Sequence, residues 1–234
     1  MLSFDNLNVN DEIKNVLKQF RIDFVFQPIF NRSGDVMAVE ALMRPEGSNI
    51  LAFIDEMTAA GKLHELELVS FFGATMAYRQ RGYDVALGVN SFPSECFTVE
   101  EAKAYSDCFK PIKDKLVIEI LEYTEGEGWI WKSKHRHTKV YDGIRVALDD
   151  FGTGNNDVEA VKYYNPHTVK LDRSLISDIN LHKDKQQNVA DYVSWLHDMQ
   201  VRVLAEGVET KEEYDYLYNL GVDLFQGYYL VRPA

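Results

Sequence analysis

The stretch "IRVALDDFGTG", residues 144–154, decides how the chain is read. A hydrophobic run stops on two adjacent carboxylates, Asp149 and Asp150, and the chain then turns through Gly152 and Gly154. Two like charges side by side must repel, bind a cation or be hydrogen-bonded. Either this strand ends in solvent by chance or it opens onto a site, and the rest of the sequence has to choose.

Working outward, "IDFVFQPIFN" (22–31) and "GDVMAVEALMR" (34–44) are both strand-like, and the short "RSG" link between them predicts a hairpin, so the first pair is antiparallel. The chain then alternates. A helix over 63–80 leads to a strand at 84–91, a helix near 99–109 to a strand at 115–121, and a helix near 129–141 to the strand at 144–150. The beat continues with a short helix near 157–163, a strand at 168–172, a helix near 184–199, a strand at 201–206, a helix over 210–221 and the short strand "DLFQG". Thr210 and Glu213 have capping-box spacing, and Gly221 fits a C-terminal cap. Short apolar strands separated by helices predict an α/β chain folded as a TIM-like (β/α)8 barrel with an antiparallel first strand, in preference to an open doubly wound sheet.

Composition bounds what such a chain can do. Its 234 residues, 46% hydrophobic and 26% charged, suit one large domain with an ordered core. Residues 1–20 are expected to form a helical extension and 21–234 the domain itself, with too little chain before the first strand for a sensor or receiver. Two cysteines, Cys96 and Cys108, make no disulfide framework and point to a reducing, cytoplasmic setting. No basic–apolar leader and no long apolar run occurs, so membrane insertion is not expected. A net charge of −12 argues against long DNA or RNA as a partner. A small anionic ligand is still allowed, because bound cations reverse the sign of an acidic pocket.

Polar residues fall at the ends of the predicted strands. Glu40, Asn90, Glu119, Asp149 with Asp150, Lys170 and Glu206 each close or interrupt a hydrophobic run. In a parallel barrel these ends share one rim, where such folds place their chemistry. Five carboxylates against one lysine leave four negative charges, which two divalent cations would balance; oxygen-only donors suit hard ions such as Mg²⁺ or Mn²⁺. Paired metals serve in-line phosphoryl displacement, which makes a phosphate ester the expected substrate. Each piece also has an ordinary use, since single acids often cap helices, Lys170 could snorkel and Asn90 could anchor a turn. His135 and His137 belong to a basic stretch without metal-ligand spacing, and Trp129 and Trp131 suit packing on the barrel.

With "EALMRP" at 40–45 joined in order by "FQPIF", "VNSF", "VIEILE", "ALDDFGTG", "VKLDRSLI", "AEGVET" and "FQGYYLVRP", the chain resembles the EAL domains, phosphodiesterases of the bacterial second messenger cyclic di-GMP. The resemblance runs from about residue 22 to the end. It implies metal-dependent hydrolysis of cyclic di-GMP to linear pGpG by in-line attack of a water activated by two divalent cations, Mg²⁺ or Mn²⁺. Glu40, Asn90, Glu119 and Asp149 would hold the first cation and Asp149, Asp150 and Glu206 the second. Lys170 would orient and activate the water, with Glu40 and Glu206 completing the catalytic set. Gln27, Arg44 and Gln226 fall on ligand-contacting positions, and Glu122 and Glu209 on supporting ones. A non-catalytic cyclic di-GMP receptor is the alternative, although such relatives generally lack some of the acids retained here. The family usually follows "DFGTG" with Tyr-Ser-Ser, whereas this chain has Asn155, Asn156 and Asp157, in the 151–163 loop and helix through which a homodimer would form. "EILE" also carries Leu121 where Thr is usual.

Overall fold

The computed structural model describes residues 2, 4–121, 143–154 and 156–234. Its eight strands close into a barrel in sequence order. They are β1 (Ile22–Asn31), β2 (Val36–Pro45), β3 (Ala86–Ser91), β4 (Leu116–Ile120), β5 (Arg145–Phe151), β6 (Thr168–Leu171), β7 (Arg202–Ala205) and β8 (Leu224–Phe225). β1 runs antiparallel to both β2 and β8, and every other neighbouring pair is parallel. The hairpin predicted from "RSG" is present. Asn31 shapes it by accepting from the amides of Ser33 and Asp35 through Oδ1, and Gly34 takes the left-handed conformation the turn requires.

Among the described residues the helices are α1 (Asp11–Gln19), α2 (Ile50–Ala59), α3 (Leu63–Arg81), α4 (Val99–Phe109), α5 (Val158–Tyr164), α6 (Arg173–Ile176), α7 (Lys183–Asp198) and α8 (Lys211–Leu220), with a 3-10 turn at Lys110–Lys115. The boundaries read from the sequence for α3, α4, α5 and α7 hold to within one residue. α8 has the expected capping box, and Gly221 closes it in the left-handed conformation. α2 was not foreseen: its ten residues are mostly apolar yet largely exposed, and Asn49 caps it by accepting from the amide of Ala52. The helix expected near 129–141, with Trp129, Trp131, His135 and His137, lies outside the described residues.

α3 is the central outer helix. Residues from Leu66 to Tyr78 are buried almost all round because the helix lies on the barrel wall while α1, α2 and α4 cover its sides. Phe71 and Phe72 meet Phe97 and Tyr105 with ring centroids 5.2–6.3 Å apart, mostly edge-on, a geometry worth about 0.5–1.5 kcal/mol per pair beyond burial.

His64, at the start of α3, is gripped from both sides. Its Nε2 lies 3.0 Å from Glu101 of α4 and its Nδ1 3.6 Å from Glu95 in the β3–α4 loop. Hydrogen bonds that its ring donates to Glu101 and then to Glu95 raise its pKa to about 10. Because the folded value lies above the unfolded one, this stabilisation is complete below about pH 6.5 and is lost as pH rises through 10. The site is partly solvated, so the expected effect is modest. His64→Gln should lower unfolding stability by about 1 kcal/mol at pH 6, and the difference from wild type should vanish above pH 10 in urea titrations.

Candidate active site

The barrel gathers the predicted residues at one end. β2 supplies Glu40, β3 Asn90, β4 Glu119, β5 Asp149 and Asp150, and β6 Lys170, while Glu206 and Gln226 directly follow β7 and β8. Lys170 stands at the centre. Its Nζ lies 2.7 Å from Glu119 Oε2, 2.7 Å from Asp149 Oδ1, 3.2 Å from Glu206 Oε2 and 3.3 Å from Glu40 Oε2. Lys170, Glu119, Glu40 and Asp149 are all buried, at 1%, 1%, 3% and 5% exposure. At this depth charges persist only when paired and hydrogen-bonded.

One ammonium cannot neutralise five carboxylates, and the imbalance appears in their proton affinities. Burial, followed by repulsion from Glu40 and Asp149, raises the Glu119 carboxyl to about 8 against the pull of Lys170. Asp150 rises to about 6 through burial and then the adjacent Asp149. Glu206 is raised for the same reasons. Burial lowers the Lys170 pKa, but Asp149, Glu119, Glu206 and Glu40 more than reverse this, so the amine stays protonated.

Carboxylate oxygens converge in two triplets, Glu40–Glu119–Asp149 and Asp149–Asp150–Glu206, each within 4.8 Å and sharing Asp149. Among the described residues three buried oxygens here lack a hydrogen-bond partner: Asn90 Oδ1, Glu206 Oε2 and Gln226 Oε1. Glu206 Oε2 is within ion-pair reach of Lys170 but outside hydrogen-bonding geometry. Unpaired oxygen donors beside a surplus of carboxylates fit hard divalent cations.

Neighbouring residues hold this set in place. Asn90 donates to Glu40 Oε1 at 3.2 Å, and Gln226 donates to Glu40 Oε2 at 2.7 Å. Ser70 of α3 donates to the Asn90 carbonyl, and buried Glu67 accepts from Ser91 Oγ and the Phe92 amide. Sequence reading did not single out Glu67 or Ser70; the available signal was two polar residues within the otherwise apolar "LELVSFF". Gly88 is small for a steric reason, since a Cβ there would lie 1.8 Å from Glu119 Oε1.

Above the cluster opens a cleft of about 230 Å³, lined by Glu40, Asn90, Asp149, Asp150 and Glu206 on its floor and by Arg44, Ile50, Leu51 and Ile54 at its side. Arg44 donates to the Met43 carbonyl. Gln27 is half-buried and pairs in register with Glu40 across the β1–β2 ladder. Glu209 stands apart, paired with Arg173 at 2.8 Å, and the more central carboxylate there is buried Glu213, which accepts from the amides of Asp178, Glu209 and Thr210. Glu122 and Asn155 lie outside the described residues.

A model of the EAL domain matches residues 10–233. Among curated relatives, the probable cyclic di-GMP phosphodiesterase PdeG of Escherichia coli (strain K12) is 27% identical over 227 residues, 89% of this chain and 44% of that protein. The chain spans from about a tenth to about half of the length of the curated relatives it matches. A cyclic di-GMP-bound standalone EAL protein from Vibrio cholerae O395 superimposes with a TM-score of 0.82 at 24% identity, covering 92% of this chain and 93% of that one, and this shows the shared fold. The manganese and cyclic di-GMP complex of BlrP1 from Klebsiella pneumoniae gives 0.74 at 26% identity, covering 91% of this chain and 56% of that one.

Two outcomes follow from the site's charge and its packing. Protonated carboxylates compete with cations, so Mn²⁺ affinity should climb from pH 6 to 8.5 as Asp150 and Glu119 ionise at about 6 and about 8. Binding should release protons at pH 7 and fewer at pH 9, as read by calorimetry in buffers of different ionisation enthalpy. Gly88→Ala should weaken Mn²⁺ binding by about 10-fold or more by displacing Glu119, measured in the same titration.

Proposed function

The chain belongs to the EAL domain family, and from that premise we propose that it is a divalent-metal-dependent phosphodiesterase that hydrolyses cyclic di-GMP to linear pGpG. The supporting observation is the buried acidic cluster, whose two carboxylate triplets share Asp149 beside the unpaired Asn90 Oδ1. Glu40, Asn90, Glu119 and Asp149 hold one Mg²⁺ or Mn²⁺ in this reading, and Asp149, Asp150 and Glu206 hold the other. When bound, the pair lowers the pKa of a water and offsets charge developing on the phosphoryl oxygens.

The chain's own groups do the rest. Lys170, with carboxylates of Glu40, Glu119, Asp149 and Glu206 around its Nζ, orients and activates the attacking water in this reading. Glu40 and Glu206 complete the catalytic set, each within ion-pair reach of that lysine, at 3.3 and 3.2 Å. Arg44, at the wall of the cleft, presents a planar guanidinium to a phosphate of the substrate. Gln27 and Gln226 contact the ligand, and Gln226 also secures Glu40 through its amide. Glu209 acts from outside the cleft through Arg173, and Glu122 supports the loop after β5. One water is consumed and one phosphodiester P–O bond is broken by in-line displacement. The same reading expects a cytoplasmic protein; among the described residues no helix is long and apolar enough to cross a membrane. It also expects a homodimer through residues 151–163, where Tyr163 of α5 is exposed, and light scattering tests this.

Purified protein incubated with cyclic di-GMP and Mg²⁺ or Mn²⁺ should yield pGpG by liquid chromatography, and EDTA should stop it. Glu40→Ala should reduce turnover by about 100-fold or more. Absence of linear product with either cation defeats the proposal, and binding without hydrolysis supports the receptor alternative instead.

A further inference from the structure

Consecutive residues of a regular strand point to opposite faces, yet Asp149 and Asp150 both line the same cleft. The backbone breaks to allow it. β5 pairs with β4 only as far as Leu148. On the other side the register with β6 shifts between Leu148 and Phe151, so that two residues of β5 stand opposite Lys170 alone. Asp150 adopts φ 48°, a left-handed conformation that is unfavourable for a non-glycine residue. Such a bulge turns the second carboxylate inward and removes both aspartates from the ladder register that would otherwise fix them.

The lost constraint is replaced from the following turn. Asn156 is buried at 4% exposure, and its Nδ2 donates to the Asp149 carbonyl at 2.6 Å. Its own carbonyl accepts from Gly152, and its amide donates to the Thr153 carbonyl. Thr153 in turn donates to the Asp150 carbonyl through its amide and through Oγ1 at 2.8 Å. The neighbouring Asp157 does something different, capping α5 by accepting from the amides of Glu159 and Ala160.

We infer that Asn156 is a positioning residue, whose buried carboxamide holds the bulged Asp149–Asp150 peptide so that both carboxylates face one cation site. This rests on the metal-dependent reading of the cleft proposed above. Asn156 itself touches neither the cleft nor its contents, and acts through the carbonyl of Asp149.

The test compares the full chain with Asn156→Leu, which keeps bulk but removes the donor, Asn156→Ala, and Asp157→Ala as a loop variant that loses only a helix cap. Hydrogen exchange of residues 149–157 in EDTA reads the turn, and Mn²⁺ titration followed by electron paramagnetic resonance reads the site. Both Asn156 variants should exchange faster at Gly152 and Thr153 and bind Mn²⁺ about 10-fold or more weaker. Asp157→Ala should keep wild-type Mn²⁺ affinity despite a lower melting temperature. Unchanged exchange in both Asn156 variants, or faster exchange with unchanged Mn²⁺ affinity, overturns the inference. A wild-type chain that binds no Mn²⁺ defeats the phosphodiesterase reading, and the exchange measurement then still decides whether Asn156 holds the turn.

Discussion

A single buried ammonium surrounded by too many carboxylates governs this molecule. Lys170 touches acids from β2, β4, β5 and the end of β7, so it ties together strands from all round the barrel's interior. Its attraction is strong because the surroundings are dry, and the residual negative charge is costly for the same reason. The fold therefore carries an electrostatic debt at its centre, which protons or cations must settle. Binding chemistry and conformational stability share one set of side chains, and a change that relieves repulsion there removes a candidate ligand.

The surrounding structure makes that arrangement tolerable. Ser70 and Glu67 reach inward from α3 to fix the end of β3, Gln226 and Asn90 each hold one oxygen of Glu40, and Gly88 leaves the space Glu119 enters. None of these needs to contact a substrate to matter, because a ligand set works only while its neighbours keep it aimed.

Much of this was legible in the residues because burial and alternation leave strong marks. Hydrophobic runs ending in Asn90, Glu119, Asp149 and Glu206 located both the strands and the rim they share. The antiparallel start was readable from a link too short for a crossover. Other features left no one-dimensional signal. α2 carries apolar residues without a burial face to make them periodic, so it does not announce a helix. A bulge at Asp149–Asp150 contradicts the period of two that sequence reading relies on, and Gln226, read as a ligand contact, is joined to Glu40, 186 positions away, by closure of the barrel. The use of Asn156 depends on that same bulge and cannot be inferred before it is known.

Reversal of β1 also changes the geometry of communication. In an all-parallel barrel the segment entering the first strand would arrive at the floor, opposite the chemistry. Here the entry point, Ile22, lies beside Pro45, next to Arg44, and Arg21 pairs with Glu46 through both main chain and side chain. α1 is thus coupled to the wall of the cleft across a span of only a few residues. The covalent path from α1 to the strand that carries the arginine therefore bypasses the parallel strands altogether.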